Sequence, residues 1–140
     1  MQLKIIPKCF PFLENGDIDI NGMGQCMAFS ASGYYVPCCW MDNAFDRKEN
    51  PGGIYNKELN VKNGITPDDA LNSRQWKNFY RKILFKPKEA GSRCKTSCGV
   101  IIDDDGNQHS YSSYVKQLNQ QKNSILEKEK LLGITKDGQE

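Results

Sequence analysis

Cys26-Met27-Ala28-Phe29-Ser30-Ala31-Ser32-Gly33-Tyr34-Tyr35-Val36-Pro37-Cys38-Cys39 decides how this chain begins to fold. β-prone runs at 27–30 and 34–36 flank Ala31-Ser32-Gly33, so the segment is expected to run out and back as an antiparallel hairpin. That return carries Cys38 towards Cys26 and brings two thiols together at the hairpin base. Working back from it, Asn15-Gly16 between 10–13 and 17–20 predicts an earlier tight hairpin, because both central positions tolerate positive φ.

Working forward, residues 42–66 are polar and turn-rich, with Asn50-Pro51-Gly52-Gly53 and Asn63-Gly64, and are expected to carry little regular structure. Thr66-Pro67-Asp68-Asp69 reads as a helix start, with Thr66 as N-cap and Pro67 at the first helical position, for a short helix through Leu71. Ser73 is the expected cap of a second helix through about Leu84. There Trp76, Phe79, Tyr80 and Ile83 follow the i, i+3, i+4, i+7 spacing of a buried stripe. Lys86-Pro87-Lys88 and Ala90-Gly91 break the chain into a loop leading to Cys94, and Cys98 opens a β-prone run at 99–102. Asp103-Asp104-Asp105-Gly106-Asn107 is a turn. Residues 110–132 read as a long polar helix with Tyr111, Leu118, Ile125 and Leu132 spaced at seven, a stripe too narrow for a convincing coiled coil.

The expected class is α+β: an N-terminal β-hairpin unit, then short helices and a long C-terminal helix, divided as residues 1–103 and 104–140. The C-terminal helix is read as packed on the domain, with homodimerisation through it as the alternative. The chain has 140 residues, 38% of them apolar, enough for one modest core. A net charge of +2 is too small to make the whole surface a polyanion binder. The N-terminal residues lack the apolar run of a signal peptide and nothing later approaches a membrane span, so a cytoplasmic protein without membrane attachment is expected.

Six cysteines against a single histidine point to soft-metal chemistry, since thiolates bind zinc or iron tightly and stay reduced in a reducing compartment. The ligand types alone leave iron–sulfur and structural zinc both open. Cys39 follows Cys38 at a strand end, where alternate side chains face opposite ways, and is expected to be a buried thiol. Cys9, in a β-prone stretch, is expected to pack in the core. Each keeps a ligand role as the alternative.

The hairpin cysteines, the Gly33-x4-Cys38 spacing, the Pro37-Cys38-Cys39-Trp40 ending and the distant Cys94-x3-Cys98 together resemble the auxiliary-cluster domains of radical S-adenosylmethionine enzymes, the SPASM and twitch domains. The resemblance covers roughly residues 20–99. It implies that Cys26, Cys38, Cys94 and Cys98 hold one [4Fe-4S] cluster. The Cys-x3-Cys-x2-Cys triad that binds the catalytic cluster in that family is absent from these residues. The resemblance therefore implies an auxiliary-cluster unit that transfers electrons or serves a redox or enzyme partner in trans, with no independent catalysis. The second reading is a zinc-stabilised module that binds a protein or, less favoured, a nucleic acid.

Three further motifs are read as structural. Asp17-x-Asp19-x-Asn21-Gly22 begins like a calcium loop, but its twelfth position is Ala28 instead of Glu, so a polar edge strand ending in a turn is expected. His109 has no evident acid–base partner and is expected to stand exposed. Arg74, Lys77 and Arg81 fall together on the helix, away from the Trp76 stripe, and read first as a solvated face.

Overall fold

A computed structural model describes residues 1–9, 20–22 and 25–133, and the fold is α+β. Strand β1 (Gln2–Ile5) pairs antiparallel with β4 (Gly99–Ile102), and β4 pairs antiparallel with β5 (Gln108–Ser110), giving the order β1-β4-β5. The register sets Ile5 opposite Gly99, and the Ile6 amide then donates to the Cys98 carbonyl at 2.9 Å. Sheet pairing thus fixes the segment leading to Cys9 against the segment that ends in Cys98. Because β5 belongs to this sheet, the sheet reaches beyond the 1–103 unit drawn from sequence.

The hairpin predicted from the opening stretch is present. β2 (Ala28–Phe29) pairs with β3 (Tyr35–Val36), and the Ser30 amide donates to the Tyr34 carbonyl at 2.8 Å. Gly33 turns at φ 92, where a Cβ would lie 2.8 Å from the Asn60 side-chain oxygen. Only glycine meets both demands, the left-handed backbone and the close approach. The Asn60 carboxamide donates to Ser32 O and the Val61 amide donates to Gly33 O, which anchors the loop to the following segment. The expected hairpin at Asn15-Gly16 and the calcium-like Asp17 and Asp19 lie outside the described residues; Ile20–Gly22 forms a 3-10 turn.

Residues 42–66 carry more structure than expected. Helix α1 (Ala44–Glu49) forms because the Asn43 side chain accepts from the Asp46 amide, and single 3-10 turns follow where Asn56 and Asn60 accept from amides two residues on. Local side-chain capping replaces the periodic apolar pattern that would have signalled it. Helix α2 (Pro67–Leu71) has the predicted Thr66 cap, strengthened to a reciprocal capping box with Asp69. Helix α3 (Arg74–Phe85) starts at the Ser73 cap and buries Trp76, Phe79, Tyr80 and Ile83 as the spacing predicted. These four pack with Val36, Met41 and Ile54 at the centre of the core.

The expected loop around Cys94 is instead a helix, α4 (Ser92–Cys98). Its first turn is satisfied from a distance, by Glu49 Oε1 accepting from the Ser92 amide at 2.7 Å, a cap that local sequence does not announce. The predicted C-terminal helix, α5 (Tyr111–Leu131), is capped by Ser110 and buries no residue. It touches α4 and the sheet near its start, where Ser112 Oγ donates to Thr96 O, while Ile125 and Leu131 stand exposed. His109 is not unpartnered: its Nε2 lies 2.9 Å from Asp103 Oδ2, and that hydrogen bond holds the Asp103 carboxyl below the usual range. None of the described helices is long and apolar enough to cross a membrane.

Candidate metal centre

One cavity, of about 260 Å³, gathers all six cysteines on its lining. Four chain segments deliver them. Cys9 follows β1 after the buried Pro7; Cys26 precedes β2, its Sγ 3.9 Å from Lys8 O. Cys38 follows β3 after the buried Pro37, and its carbonyl accepts from the Met41 amide, which turns the chain. Cys94 and Cys98 come from α4, one turn apart, so both thiols leave the same helical face. Ile5, Met41, Phe79 and Ile83 supply apolar wall from the core, and Trp40, 53% exposed, stands at the mouth.

Burial divides the cysteines differently from the sequence. Cys9, Cys38, Cys94 and Cys98 are partly buried and packed against the core, whereas Cys26 and Cys39 are exposed. Cys39 is therefore not the buried thiol expected. Strand alternation ends with β3 at Val36, and Cys39 opens a 3-10 turn that swings it to the rim. Cys9 packs as expected, but it packs on the cavity and beside the other thiols. All four ligands implied by the resemblance reach this one cavity, with Cys9 and Cys39 added to them.

Electrostatics follow from that crowding. Burial pushes the Cys9 thiol up to about 12, and the neighbouring Cys98 and Cys38 push it further in the same direction. Cys94 is raised too, by burial and then by Cys9 and Cys98; Cys38 is raised by burial against the opposing pull of the Trp40 amide. Cys9, Cys94 and Cys38 are thereby held as neutral thiols at neutral pH. A thiophilic cation entering here displaces protons as it binds.

Two cationic side chains border the thiols. Arg93, on α4, sends Nε to Asp46 Oδ2 at 3.3 Å, and Asp46 is fully buried on α1. Asn43 also donates to that carboxylate oxygen, while Asp46 Oδ1 has no hydrogen-bond partner among the described residues. The pair ties α1 to the helix that carries Cys94 and Cys98. Lys8 Nζ sits 5.8 Å from the Trp40 ring centroid, a cation–π contact across the mouth. Asp46 and its partnership with Arg93 had no sequence signal, because forty-seven residues separate them.

Among the described residues, no three or more Cys, His, Asp or Glu side chains converge tightly enough to grip one metal ion. The lining includes no histidine, and His109 lies on β5, occupied by Asp103. No family model, curated protein or solved structure matches the chain.

Proposed function

We propose that the chain is a small iron–sulfur protein that holds one [4Fe-4S] cluster in the cysteine cavity and passes electrons to, or works beside, an enzyme partner in trans. The observation that carries the reading is the convergence of cysteines from four segments on one largely apolar cavity. Water exclusion by Ile5, Phe79 and Ile83 suits a cluster, whose potential depends on burial and on hydrogen bonds to its sulfurs. Arg93 and Lys8 are the charged side chains on the lining that could supply such bonds.

The preference for a cluster over structural zinc rests on the resemblance carried by Gly33-x4-Cys38 and Cys94-x3-Cys98, since thiolate ligands suit either metal. The resemblance nominates Cys26 with Cys38, Cys94 and Cys98; burial nominates Cys9 in place of Cys26.

The test is anaerobic reconstitution followed by iron, acid-labile sulfide and zinc analysis, with an electron paramagnetic resonance spectrum of the reduced protein. Brown protein with near-equal iron and sulfide is expected, and colourless protein with stoichiometric zinc overturns the reading. Serine substitution at Cys38, Cys94 or Cys98 abolishes the chromophore, and substitution at Cys39 retains it. Cys9→Ser and Cys26→Ser compared side by side identify the fourth ligand.

A further inference from the structure

We infer that the opposite side of α3 is a binding site for a compact anion carrying two or more phosphate groups. This site shares no lining residue with the cysteine cavity and does not depend on what that cavity holds.

The site is a cleft of about 820 Å³ between α3 and the Gly52-Gly53 backbone, within the size range of small-molecule sites. Its wall is close because Gly52 has no side chain. A Cβ there would lie 2.9 Å from the Phe79 Cα, and the residue turns at φ 68. Into this concavity α3 presents Arg74, Lys77 and Arg81, all exposed. Their spacing, i, i+3 and i+7, stacks them on one face over about 10 Å, at 1.5 Å rise per residue.

The charge is uncompensated. None of the three pairs with a carboxylate among the described residues, although acids elsewhere pair with Arg47, Lys86 and Arg93. The lining includes no acidic side chain; its remaining side chains are carboxamides, among them Asn56, Gln75 and Asn78. Guanidinium groups grip phosphate oxygens in a fork geometry, and carboxamides offer further donors and acceptors to the body of such a ligand. Two features exclude a nucleic-acid strand as occupant. No aromatic ring lines the cleft to stack a base, and the cationic row is too short to follow a backbone beyond about two phosphates.

The experiment is isothermal titration of the full chain with inorganic pyrophosphate, against inorganic phosphate and a short single-stranded oligonucleotide. Pyrophosphate is expected to bind with a dissociation constant of about 100 µM or tighter, and at least about tenfold tighter than phosphate. Arg74→Gln and Arg81→Gln each weaken it about tenfold; Lys88→Gln, an exposed charge outside the cleft, leaves it unchanged. Circular dichroism checks that each variant is folded. No heat with pyrophosphate at about 1 mM, equal weakening by Lys88→Gln, or oligonucleotide binding tighter than pyrophosphate overturns the inference.

Discussion

The two long sides of α3 do opposite chemistry on twelve residues of helix. One side sends Phe79 and Ile83 into the wall of the cysteine cavity, and the other sends Arg74, Lys77 and Arg81 into the polar cleft. The cavity is assembled from residues 5 to 98, so it exists only when β1 has paired with β4 and α4 has docked. The cleft is assembled from residues 52 to 81 and needs little beyond α3 and the segment just before it. One site depends on global folding and the other mainly on local structure, and a single buried stripe supports both.

The largest expected effect comes from removing that shared support. Trp76 is fully buried at the centre of the core, and Trp76→Ala should cost about 3–5 kcal/mol. Against a typical total of about 5–15 kcal/mol, this leaves a marginal protein. Urea unfolding should show the loss, and iron uptake and pyrophosphate binding should fail together. If the cleft still binds when the cavity no longer loads, α3 is held by something other than this stripe.

Legibility in the sequence follows the same division. Ser73, the Trp76 stripe, the Thr66 cap and the Gly33 hairpin could be read because each signal lies within about one helical turn or one tight turn of its effect. The clustering of Arg74, Lys77 and Arg81 was equally plain, but its concavity was not, since that requires Gly52 to lie against Phe79. The cavity was legible only as a cysteine inventory. That Cys9 joins it follows from the pairing of Ile6 with Cys98, and that α4 is a helix follows from Glu49; both are long-range facts. Strand alternation does not reach Cys39, because β3 ends at Val36 and Cys39 opens a 3-10 turn whose start no local signal marks.

A second, intermediate effect separates the two sides by pH. Cys9 rises from 9.0 in an open chain to about 12 in the fold, and Cys94 and Cys38 rise as well. A folded value above the unfolded one means that stability is full below about 9 and drains as pH rises towards 12. The rise from 9.0 to about 12 is three tenfold steps of about 1.4 kcal/mol each, so about 4 kcal/mol is the upper bound on the Cys9 share of the loss in the metal-free protein, reduced by the thiol's partial exposure. Tyr55, raised from 10.0 by burial, adds its own loss at the upper end. Cys9→Ser should therefore shrink the early part of the loss, read by urea unfolding at stepped pH. Loaded protein should show no thiol contribution, because the bound cations have already displaced the protons. Arg74→Gln should leave the profile unchanged.

The smallest effect is also the most selective. Gly52→Ala places a Cβ 2.9 Å from the Cα and Cβ of Phe79 and 3.0 Å from its backbone nitrogen, at φ 68. Backbone cannot swing aside, so the Gly52-Gly53 wall must lift from α3, at about 1–2 kcal/mol of strain. Gly53→Ala is the control. It bears similar backbone strain at φ 83, but its Cβ would meet the Gln75 side chain at ordinary contact distance, Cγ at 3.4 Å and Cβ at 3.9 Å. Pyrophosphate affinity should fall in Gly52→Ala and fall less in Gly53→Ala, while iron content stays full in both. Phe79 makes this a strict test, because it lies under the cleft wall and also lines the cavity. If Gly52→Ala lowers iron content as far as it lowers pyrophosphate binding, displacement of Phe79 crosses the helix, and the two sides of α3 are one coupled unit.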